Sequence, residues 1–258
     1  MKNVLITASI VLYEEDLNIL NKTISSFLEI NKSKKLFLID NTKNSVYNDL
    51  FSHENIAYIP NKKNIGFGSG HNKVLSKISN YSNCHLILNP DVSFSSKTIE
   101  VLIDELNKDD SLAMIAPKVN FLDGTHQYSC RRYPKILELI GRRSSLLRPL
   151  LKSIVEKGEY RDKNLNEPFY CEYLTGCFQL YKTKDLVALK GFDERYFLYM
   201  EDVDICRKID KLGKRKLYYP KVAIYHILKQ GSLKKLNLFF RHLISAMKYY
   251  NKWGVFKK

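Results

Sequence analysis

Residues 4–28 read VLITASIVLYEEDLNILNKTISSFL, and this stretch already indicates the class of fold. Its first part, Val4–Leu12, is a β-branched, apolar run with the length of a buried strand. Asp16 then has the character of a helix N-cap. The apolar residues after it recur at helical spacing: Leu17, Leu20, Ile24 and Phe27. The stretch therefore predicts a buried strand followed by an amphipathic helix.

The same alternation continues along the chain. Further apolar runs predict strands at Leu36–Ile39, Ile56–Ile59, Leu86–Leu88, Leu112–Ala116, Phe178–Tyr181, Lys216–Tyr219 and Val222–Tyr225. Strands that alternate with helices favour an α/β fold with a mostly parallel, Rossmann-like sheet flanked by helices. In such sheets ligands bind beyond the carboxyl ends of the strands. Asp40 and Asp91 directly follow two of the predicted strands and are candidate ligand-binding residues.

Composition narrows the class of protein. The chain has 258 residues, of which 45% are hydrophobic and 27% charged, and this excludes a disordered chain. Lys and Arg number 42 against 27 Asp and Glu, so the net charge is +15. Such a charge favours polyanionic partners: nucleic acid, an anionic membrane surface or a phosphorylated substrate. The 5 cysteines are odd in number and lack close pairs, which predicts buried, reduced thiols in an intracellular protein.

The apolar start of the chain has two interpretations. Met1–Leu12 is apolar enough for a signal peptide, but Thr7 and Ser9 interrupt it and no small-residue cleavage site follows. We therefore interpret it as the first strand. No run reaches the ~18 apolar residues of a membrane-spanning helix. We expect a cytoplasmic protein that is soluble or peripheral to a membrane.

Two segments differ in composition from the rest. Residues 131–167 are rich in Arg, Lys and Leu and predict an irregular, basic, partly helical insertion. Residues 233–258 predict a basic, amphipathic helix that ends the chain. The predicted division is a main domain with two halves, then a tail: 1–230, made of about 1–120 and 121–230, and 231–258.

Two acidic motifs have the composition of a site. Asn89-Pro90-Asp91 offers a hard cation a carboxylate after a buried strand, although such a turn is often only structural. Glu201, Asp202 and Asp204 crowd the start of a predicted helix. Like charges raise one another's pKa, which suits a general base, whereas the helix N-terminus favours ionised acids for structural reasons. The sequence leaves both interpretations open.

A glycine-rich loop and a histidine complete the candidates. Gly66–Gly70 is similar to a dinucleotide fingerprint, but His71 occupies the position of the required last glycine. We interpret the segment as a flexible loop, with a short helix beginning near His71, whose backbone approaches a ligand. His226 follows the last apolar run, and a histidine in that position alone is more often structural than a ligand.

Taken in order, these motifs resemble a known family. They are Leu12-Tyr13, Asp40-Asn41, Asn64 to Asn72, Leu88 to Asp91, Tyr173 to Gly176, Gly191 to Cys206, and His226. The chain resembles an inverting family 2 glycosyltransferase with the GT-A fold. Within that family it is most similar to bacterial rhamnosyltransferases that build O-antigen, lipopolysaccharide and related polysaccharides. The block from Gly191 to Cys206 is the most specific part of the resemblance.

The resemblance implies a site for a nucleotide sugar. Leu12 and Tyr13 would lie beside the base, and Asp40 would accept a hydrogen bond from its pyrimidine ring. The other residues of this site would be Asn64, Gly66, Phe67, Asn72, Asn89 and Asp91. The donor implied first is dTDP-L-rhamnose, with UDP-linked galactose, N-acetylglucosamine or galactofuranose as alternatives.

The resemblance also implies a metal site. Asn89 stands where the family's metal motif usually has its first aspartate, so one strong carboxylate ligand remains. Asp91 and His226 would then hold Mg²⁺ or Mn²⁺ as the cofactor.

The implied catalytic base is Asp202, which matches the second acid of the family's Glu-Asp pair. Glu201 and Asp204 would be supporting acids, and Gly176 would lie near the acceptor. Because Asp202 would act as a base, one direct displacement would invert the anomeric centre without a covalent intermediate.

The acceptor would be a glycan or a lipid-linked sugar at the inner face of the cytoplasmic membrane. The basic tail then has two interpretations: it contacts anionic headgroups, or it covers the core with a solvated basic face. A nucleic-acid-binding protein is disfavoured because the basic residues are dispersed and no such motif occurs. An inactive binding module of the same fold is disfavoured because Asp91, Asp202 and His226 occur together.

Overall fold

The computed structural model describes residues 4–43, 52–144, 146–227 and 236–254. The strands are β1 (Val4–Leu12), β2 (Lys34–Asp40), β3 (Ile56–Pro60), β4 (Ser82–Leu88), β5 (Val92–Ser93), β6 (Leu112–Asn120), β7 (Cys130–Arg131), β8 (Phe169–Tyr170), β9 (Tyr173–Leu174), β10 (Phe178–Lys182) and β11 (Arg215–His226). The helices are α1 (Leu17–Leu28), α2 (Phe67–Asn72), α3 (Leu75–Ile78), α4 (Ser96–Lys108), α5 (Ile136–Arg143), α6 (Lys152–Gly158), α7 (Thr183–Ala188), α8 (Glu201–Lys211) and α9 (Leu236–Trp253).

One sheet organises the molecule, in the order β3-β2-β1-β4-β10-β6-β11-β5, with β8 also paired to β11. The strands β3, β2, β1 and β4 run parallel, and so do β6 and β11. β10 runs antiparallel between β4 and β6. The predicted α/β class is confirmed. Because β10 and β11 join a sheet that the earlier strands begin, both predicted halves contribute strands to one sheet.

Helices cover both faces of the sheet. Alternate residues of β1 and β4 point to opposite faces, as the pleat of a strand requires. On one face they pack against buried side chains of α1 and α4, such as Phe27 and Leu102. On the other face they pack with α8, which buries Ile205 and Ile209. α8 begins near the sheet edge where the parallel strands end.

Some predicted boundaries are confirmed and others are wrong. Asp16 caps α1, since its Oδ1 accepts from the amides of Asn18 and Ile19 at 2.8 and 3.2 Å. The short helix expected near His71 already begins at Phe67. The two short strands predicted after residue 215 are one strand, β11, with a register shift between Tyr219 and Ala223.

The predicted tail helix is present as α9, while its expected start at residue 233 and end at 258 lie outside the described residues. The face of α9 that meets the body carries Ser245, Ala246 and Tyr249. Its apolar stripe is 37% to 72% exposed: Leu236, Phe239, Phe240, Leu243, Ile244 and Met247. α9 covers part of the core through Tyr249, Tyr250 and Trp253, while the apolar stripe stays exposed. In the part of the chain that the structure describes, no helix has both the length and the apolar character needed to cross a bilayer.

Candidate active site

The carboxyl ends of the first two parallel strands meet at one edge of the sheet. Leu12 lies opposite Asp40 in the register of β1 and β2. Asp40 is fully buried, and its carboxylate accepts from the amide of Thr42 at 2.8 Å and from the hydroxyl of Tyr58 at 2.5 Å. Leu12 is buried as well, whereas Tyr13 is 48% exposed. The edge therefore combines a fixed carboxylate with an accessible aromatic ring, as expected beside a nucleotide base.

Asn41, which the sequence indicated only as the neighbour of Asp40, organises the loop that follows β3. Its side-chain amide donates to Oδ1 of Asn64 at 3.3 Å and to the carbonyl of Gly66 at 3.2 Å. Oδ1 of Asn64 in turn accepts from the amide of Gly66 at 2.9 Å. Asn41 is 1% exposed, so the loop is tied to the sheet edge by buried polar contacts. The sequence signal that could have identified Asn41 is its place as a polar residue directly after a buried strand.

Gly66 joins this loop to the loop that precedes α8. Its φ is +93°, and a Cβ atom there would lie 2.3 Å from the carbonyl oxygen of Phe197. The amide of Phe67, the first residue of α2, donates to that same carbonyl at 3.0 Å. Only glycine fits this backbone conformation and this approach. The contact brings α2 against the segment that carries the predicted base.

Asn72 lies at the other end of α2 and contacts a turn. Its Oδ1 accepts from the amide of Phe192 at 2.9 Å. Its Nδ2 donates to the carbonyl of Phe192 at 2.9 Å and to Oε1 of Glu194 at 3.0 Å. These contacts hold α2 against the turn before α8. A direct role for Asn72 in nucleotide-sugar binding stays a prediction.

The three acids at the start of α8 differ in their surroundings. Glu201 is 5% exposed and Asp204 is 0% exposed, whereas Asp202 is only half-buried. Asp204 accepts from the indole nitrogen of Trp253 at 2.7 Å and pairs with the ammonium of Lys252 at 2.7 Å. It therefore anchors α9 to α8. Burial, followed by the charge of Asp202, raises the pKa of Glu201 well above its usual value. Asp202 is the acid that remains accessible to a substrate.

Asp202 meets both predicted substrate sides. Its Oδ2 accepts from the amide of Gly176 at 3.1 Å. A Cβ atom on Gly176 would lie 3.4 Å from Cβ of Asp202 and 3.5 Å from the ring of Phe67. Burial raises the pKa of Asp202, although the amides of Gly176 and Val203 and the charge of Arg142 oppose that shift. A half-buried carboxylate in contact with Gly176 and near Phe67 has the position of a candidate general base.

The backbone next to Gly176 connects Asp202 to the second acidic motif. The carbonyl of Cys177, the residue after Gly176, accepts from the amide of Asn89 at 2.9 Å. Asn89 begins the turn that leads to Asp91. Gly176 and Cys177, which precede β10, therefore contact Asp202 and the Asn89–Asp91 turn, respectively. These distant parts of the sequence lie at one edge of the sheet.

Asp91 and His226 converge in the interior of this edge, 6% and 4% exposed. Oδ1 of Asp91 lies 3.2 Å from Nε2 of His226 and receives no aligned hydrogen bond among the described residues. Nδ1 of His226 donates to Oε1 of Gln127 at 2.6 Å, so Nε2 faces Asp91. Burial alone would lower the pKa of His226, but its contacts with Cys177 and Asp91 outweigh burial and raise that pKa to about 10. No sequence signal pointed to Gln127, because its position depends on a pairing across β6 and β11.

The donor set for a metal is small. Among the described residues, no group of three or more His, Cys, Asp and Glu side chains is arranged to hold a metal ion. Asp91 and His226 form a pair that contributes one carboxylate and one imidazole, with Nδ2 of Asn89 3.4 Å from Nε2 of His226. Mg²⁺ and Mn²⁺ often bind through one or two side chains together with substrate phosphates. The pair therefore fits a metal that a diphosphate helps to hold and that displaces the proton from Nε2 of His226.

The edge of this α/β sheet brings together a buried carboxylate at Asp40, a buried acid-histidine pair and a half-buried acid, which is the arrangement expected of a glycosyltransferase. The sequence profile described as Glycosyl transferase family 2 matches residues 7–188. The chain belongs to that family, and the predicted resemblance is confirmed.

Curated relatives agree with this assignment. The N-acetylglucosaminyl-diphospho-decaprenol L-rhamnosyltransferase of Mycobacterium tuberculosis (strain CDC 1551 / Oshkosh) is 26% identical over 185 residues, covering 67% of this chain and 59% of the relative. Rhamnosyltransferase WbbL of Escherichia coli (strain K12) is 28% identical over 125 residues, covering 48% of this chain and 44% of the relative. The chain thus spans 59% or less of the length of these relatives. Within the family, the chain is similar to these two rhamnosyltransferases.

A solved structure confirms the GT-A fold. The crystal structure of GalNAc-T7 with UDP, GalNAc and Mn²⁺ superposes with a TM-score of 0.67 at 15% sequence identity. The match covers 98% of this chain and 50% of that chain. At this identity the likeness shows the fold alone.

Proposed function

We propose that this glycosyltransferase moves L-rhamnose from dTDP-L-rhamnose, with inversion, onto a lipid-linked or glycan acceptor in the synthesis of a bacterial surface polysaccharide. The observation that carries the proposal is the position of Asp202, half-buried between Gly176 and Phe67 at the strand ends. The curated relatives, which are named rhamnosyltransferases, support rhamnose as the sugar.

Asp202 serves as the general base in this proposal. It takes the proton of the acceptor hydroxyl as that oxygen forms a bond to the anomeric carbon. The bond from the anomeric carbon to the diphosphate breaks, and its electron pair leaves with the nucleoside diphosphate. Attack and departure on opposite sides invert the anomeric centre, and atoms and charge balance without a covalent sugar-enzyme bond. The raised pKa of Asp202 supports this role, because a base works best near the pH of the reaction.

Asp40 recognises the pyrimidine base in this proposal. Thymine and uracil both carry a ring N–H that can donate to a carboxylate, and a second bond from Tyr58 fixes the direction of the acceptor oxygens. Tyr13, with 48% of its surface exposed, covers one face of the ring. The remaining donor-side predictions, Asn64, Gly66, Phe67, Asn72 and Asn89, lie on the loops that join this edge to α8.

Asp91 and His226 would hold Mg²⁺ or Mn²⁺ together with the diphosphate. Oδ1 of Asp91 is buried without an aligned donor, and Gln127 directs Nε2 of His226 toward it. A bound divalent ion would offset the negative charge of the leaving diphosphate. The two side chains themselves hold the ligand oxygen and nitrogen on the same side of the sheet edge as Gly176 and Cys177.

Helices α5 and α9 leave apolar side chains exposed. Apolar surface next to basic residues supports the proposal that transfer takes place at the inner face of the cytoplasmic membrane, where lipid-linked acceptors are found. The Mycobacterium tuberculosis relative is named for a diphospho-decaprenol acceptor, which supports an acceptor of that chemical class.

A panel of nucleotide sugars tests the proposal. The thermal midpoint of the protein is measured with dTDP-L-rhamnose, UDP-galactose, UDP-N-acetylglucosamine and UDP-galactofuranose, each with and without Mn²⁺, and transfer is followed by NMR of the product. We expect the largest shift with dTDP-L-rhamnose and the metal, and a product of inverted configuration. A larger shift with a UDP sugar would identify that sugar nucleotide as the donor instead. A product of retained configuration would overturn the mechanism.

A further inference from the structure

An open groove runs between α5 and α9. Its volume is about 700 Å³, within the range of roughly 300–1,000 Å³ typical of small-molecule pockets. The α5 side contributes Ile136 and Ile140, and the α9 side contributes Phe239, Leu243 and Met247. These side chains are 37% to 52% exposed. Among the described residues that line it, none is acidic.

A pair of arginines connects the groove to the proposed base. Arg143 lines the groove, and its guanidinium lies 5.4 Å from the ring centroid of Phe239. The charge of the preceding residue, Arg142, acts on Asp202 and also on His242, another groove residue. Arg142 is therefore within electrostatic range of both the base and the groove. It is paired with the buried carboxylate of Glu138 at 4.0 Å and stays 35% exposed.

We propose that the groove between α5 and α9 holds the first isoprenoid units of a polyprenyl-diphosphate-linked acceptor, with the diphosphate at Arg142 and Arg143 and the acceptor sugar at Asp202. The inference rests on the proposed function, which supplies a lipid-linked acceptor. Arg143 lines the apolar groove, and the charge of its neighbour Arg142 acts on the carboxylate of Asp202. A carboxylate, two cations and an apolar groove are complementary to a sugar, a diphosphate and a hydrocarbon chain.

A bilayer surface is the competing occupant, and the shape of the site disfavours it. A flat membrane would contact the outward stripe of α9, where Phe240 and Ile244 are 52% and 47% exposed but do not line the groove. A single flexible hydrocarbon chain fits a concave space between two helices. α9 therefore offers two apolar surfaces, one concave and one outward, and the proposal concerns the concave one.

The test uses two acceptors that share the same sugar and diphosphate. One carries a polyprenyl chain and the other a short alkyl group that ends before the groove. The groove variant is the double substitution Leu243→Gln and Met247→Gln. The matched control is Phe240→Gln with Ile244→Gln, which has the same spacing on the same helix and similar exposure. Rates are measured in detergent micelles, and thermal midpoints confirm that each variant is folded.

We expect the groove variant to lower the ratio of kcat/KM for the polyprenyl acceptor over the short acceptor by about tenfold, because apolar contacts with the chain are lost. The control variant should leave that ratio unchanged. Equal losses in both variants would assign the effect to a lipid surface and overturn the proposal, and so would no loss in either. If the wild-type enzyme uses neither acceptor, it is the proposed function that fails.

Discussion

The two faces of helix α8 differ in what their acids contact. On one face, Asp202 is half-buried and meets Gly176 and the loop that carries Phe67. On the other face, Asp204 is fully buried and binds Lys252 and Trp253 of α9. Two residues of one motif thus have separate uses, one facing the site and the other fastening the terminal helix. A cluster of acids in a sequence does not by itself indicate a cluster of acids in a site.

The largest expected effect tests the face that carries Asp202. Asp202→Asn removes the general base, and we expect kcat to fall about 10³-fold. The Kd of the donor, measured by isothermal titration, should stay close to the wild-type value. Because burial raises the pKa of Asp202, its ionisation weakens folding at neutral pH, so the free energy of unfolding should not decrease. Wild-type turnover would rule out Asp202 as the base.

The next effect concerns the acid-histidine pair on the same edge. Asp91→Asn keeps the size of the side chain but removes its charge, and we expect kcat to fall about 10²-fold, since several kcal/mol of charge stabilisation are lost. The thermal shift produced by Mn²⁺ with donor should fall in parallel. A variant that loses neither turnover nor the Mn²⁺ response would remove Asp91 from the diphosphate site.

Gly66 tests whether the donor loop must touch the α8 side. In Gly66→Ala the new Cβ would lie 2.3 Å from the carbonyl oxygen of Phe197, at a φ of +93°. Strain of this kind costs about 1–3 kcal/mol. We expect a lower free energy of unfolding in urea and a higher KM for the donor. Gly124→Ala is the matched control, because its φ is +83° and a Cβ there meets nothing within 4 Å. Equal effects on donor KM in both variants would separate Gly66 from donor binding.

The smallest effect on catalysis is expected on the opposite face of α8. Asp204→Asn removes a buried charge that Lys252 faces, while Trp253 keeps an acceptor. We expect the free energy of unfolding in urea to fall by about 1–3 kcal/mol. Turnover of a short acceptor should stay near the wild-type value. If turnover instead fell as far as in Asp202→Asn, the separation of the two faces would be wrong.

Features that depend on local sequence could be predicted, whereas features that depend on long-range packing could not. The sequence predicts the strand ends near Asp40 and Asp91 because each acid follows a continuous apolar run. It also predicts that they lie at one edge, because the carboxyl ends of parallel strands meet there. The antiparallel position of β10 between β4 and β6 could not be predicted, because these pairings join residues far apart in the sequence. Gln127 was missed for the same reason.

The orientation of α9 on the body also could not be predicted from its sequence. Its apolar stripe has the spacing of a core-facing helix, yet the residues that face the body are Ser245, Ala246 and Tyr249. Helical periodicity indicates an apolar face without saying what covers it. The burial of Asp204 follows from this docking, so the sequence could not distinguish it from Asp202.

The central claim is that Asp202 takes the proton of the acceptor hydroxyl, and the pH dependence of kcat tests it most directly. A base works only when ionised, and burial raises the pKa of Asp202 above the ordinary aspartate value of about 4. We predict that kcat falls as the pH drops through this raised pKa, while circular dichroism shows a folded protein. The residual activity of Asp202→Asn should lack this acidic limb. A wild-type kcat that stays constant down to about pH 4, or the same limb in Asp202→Asn, would contradict the account.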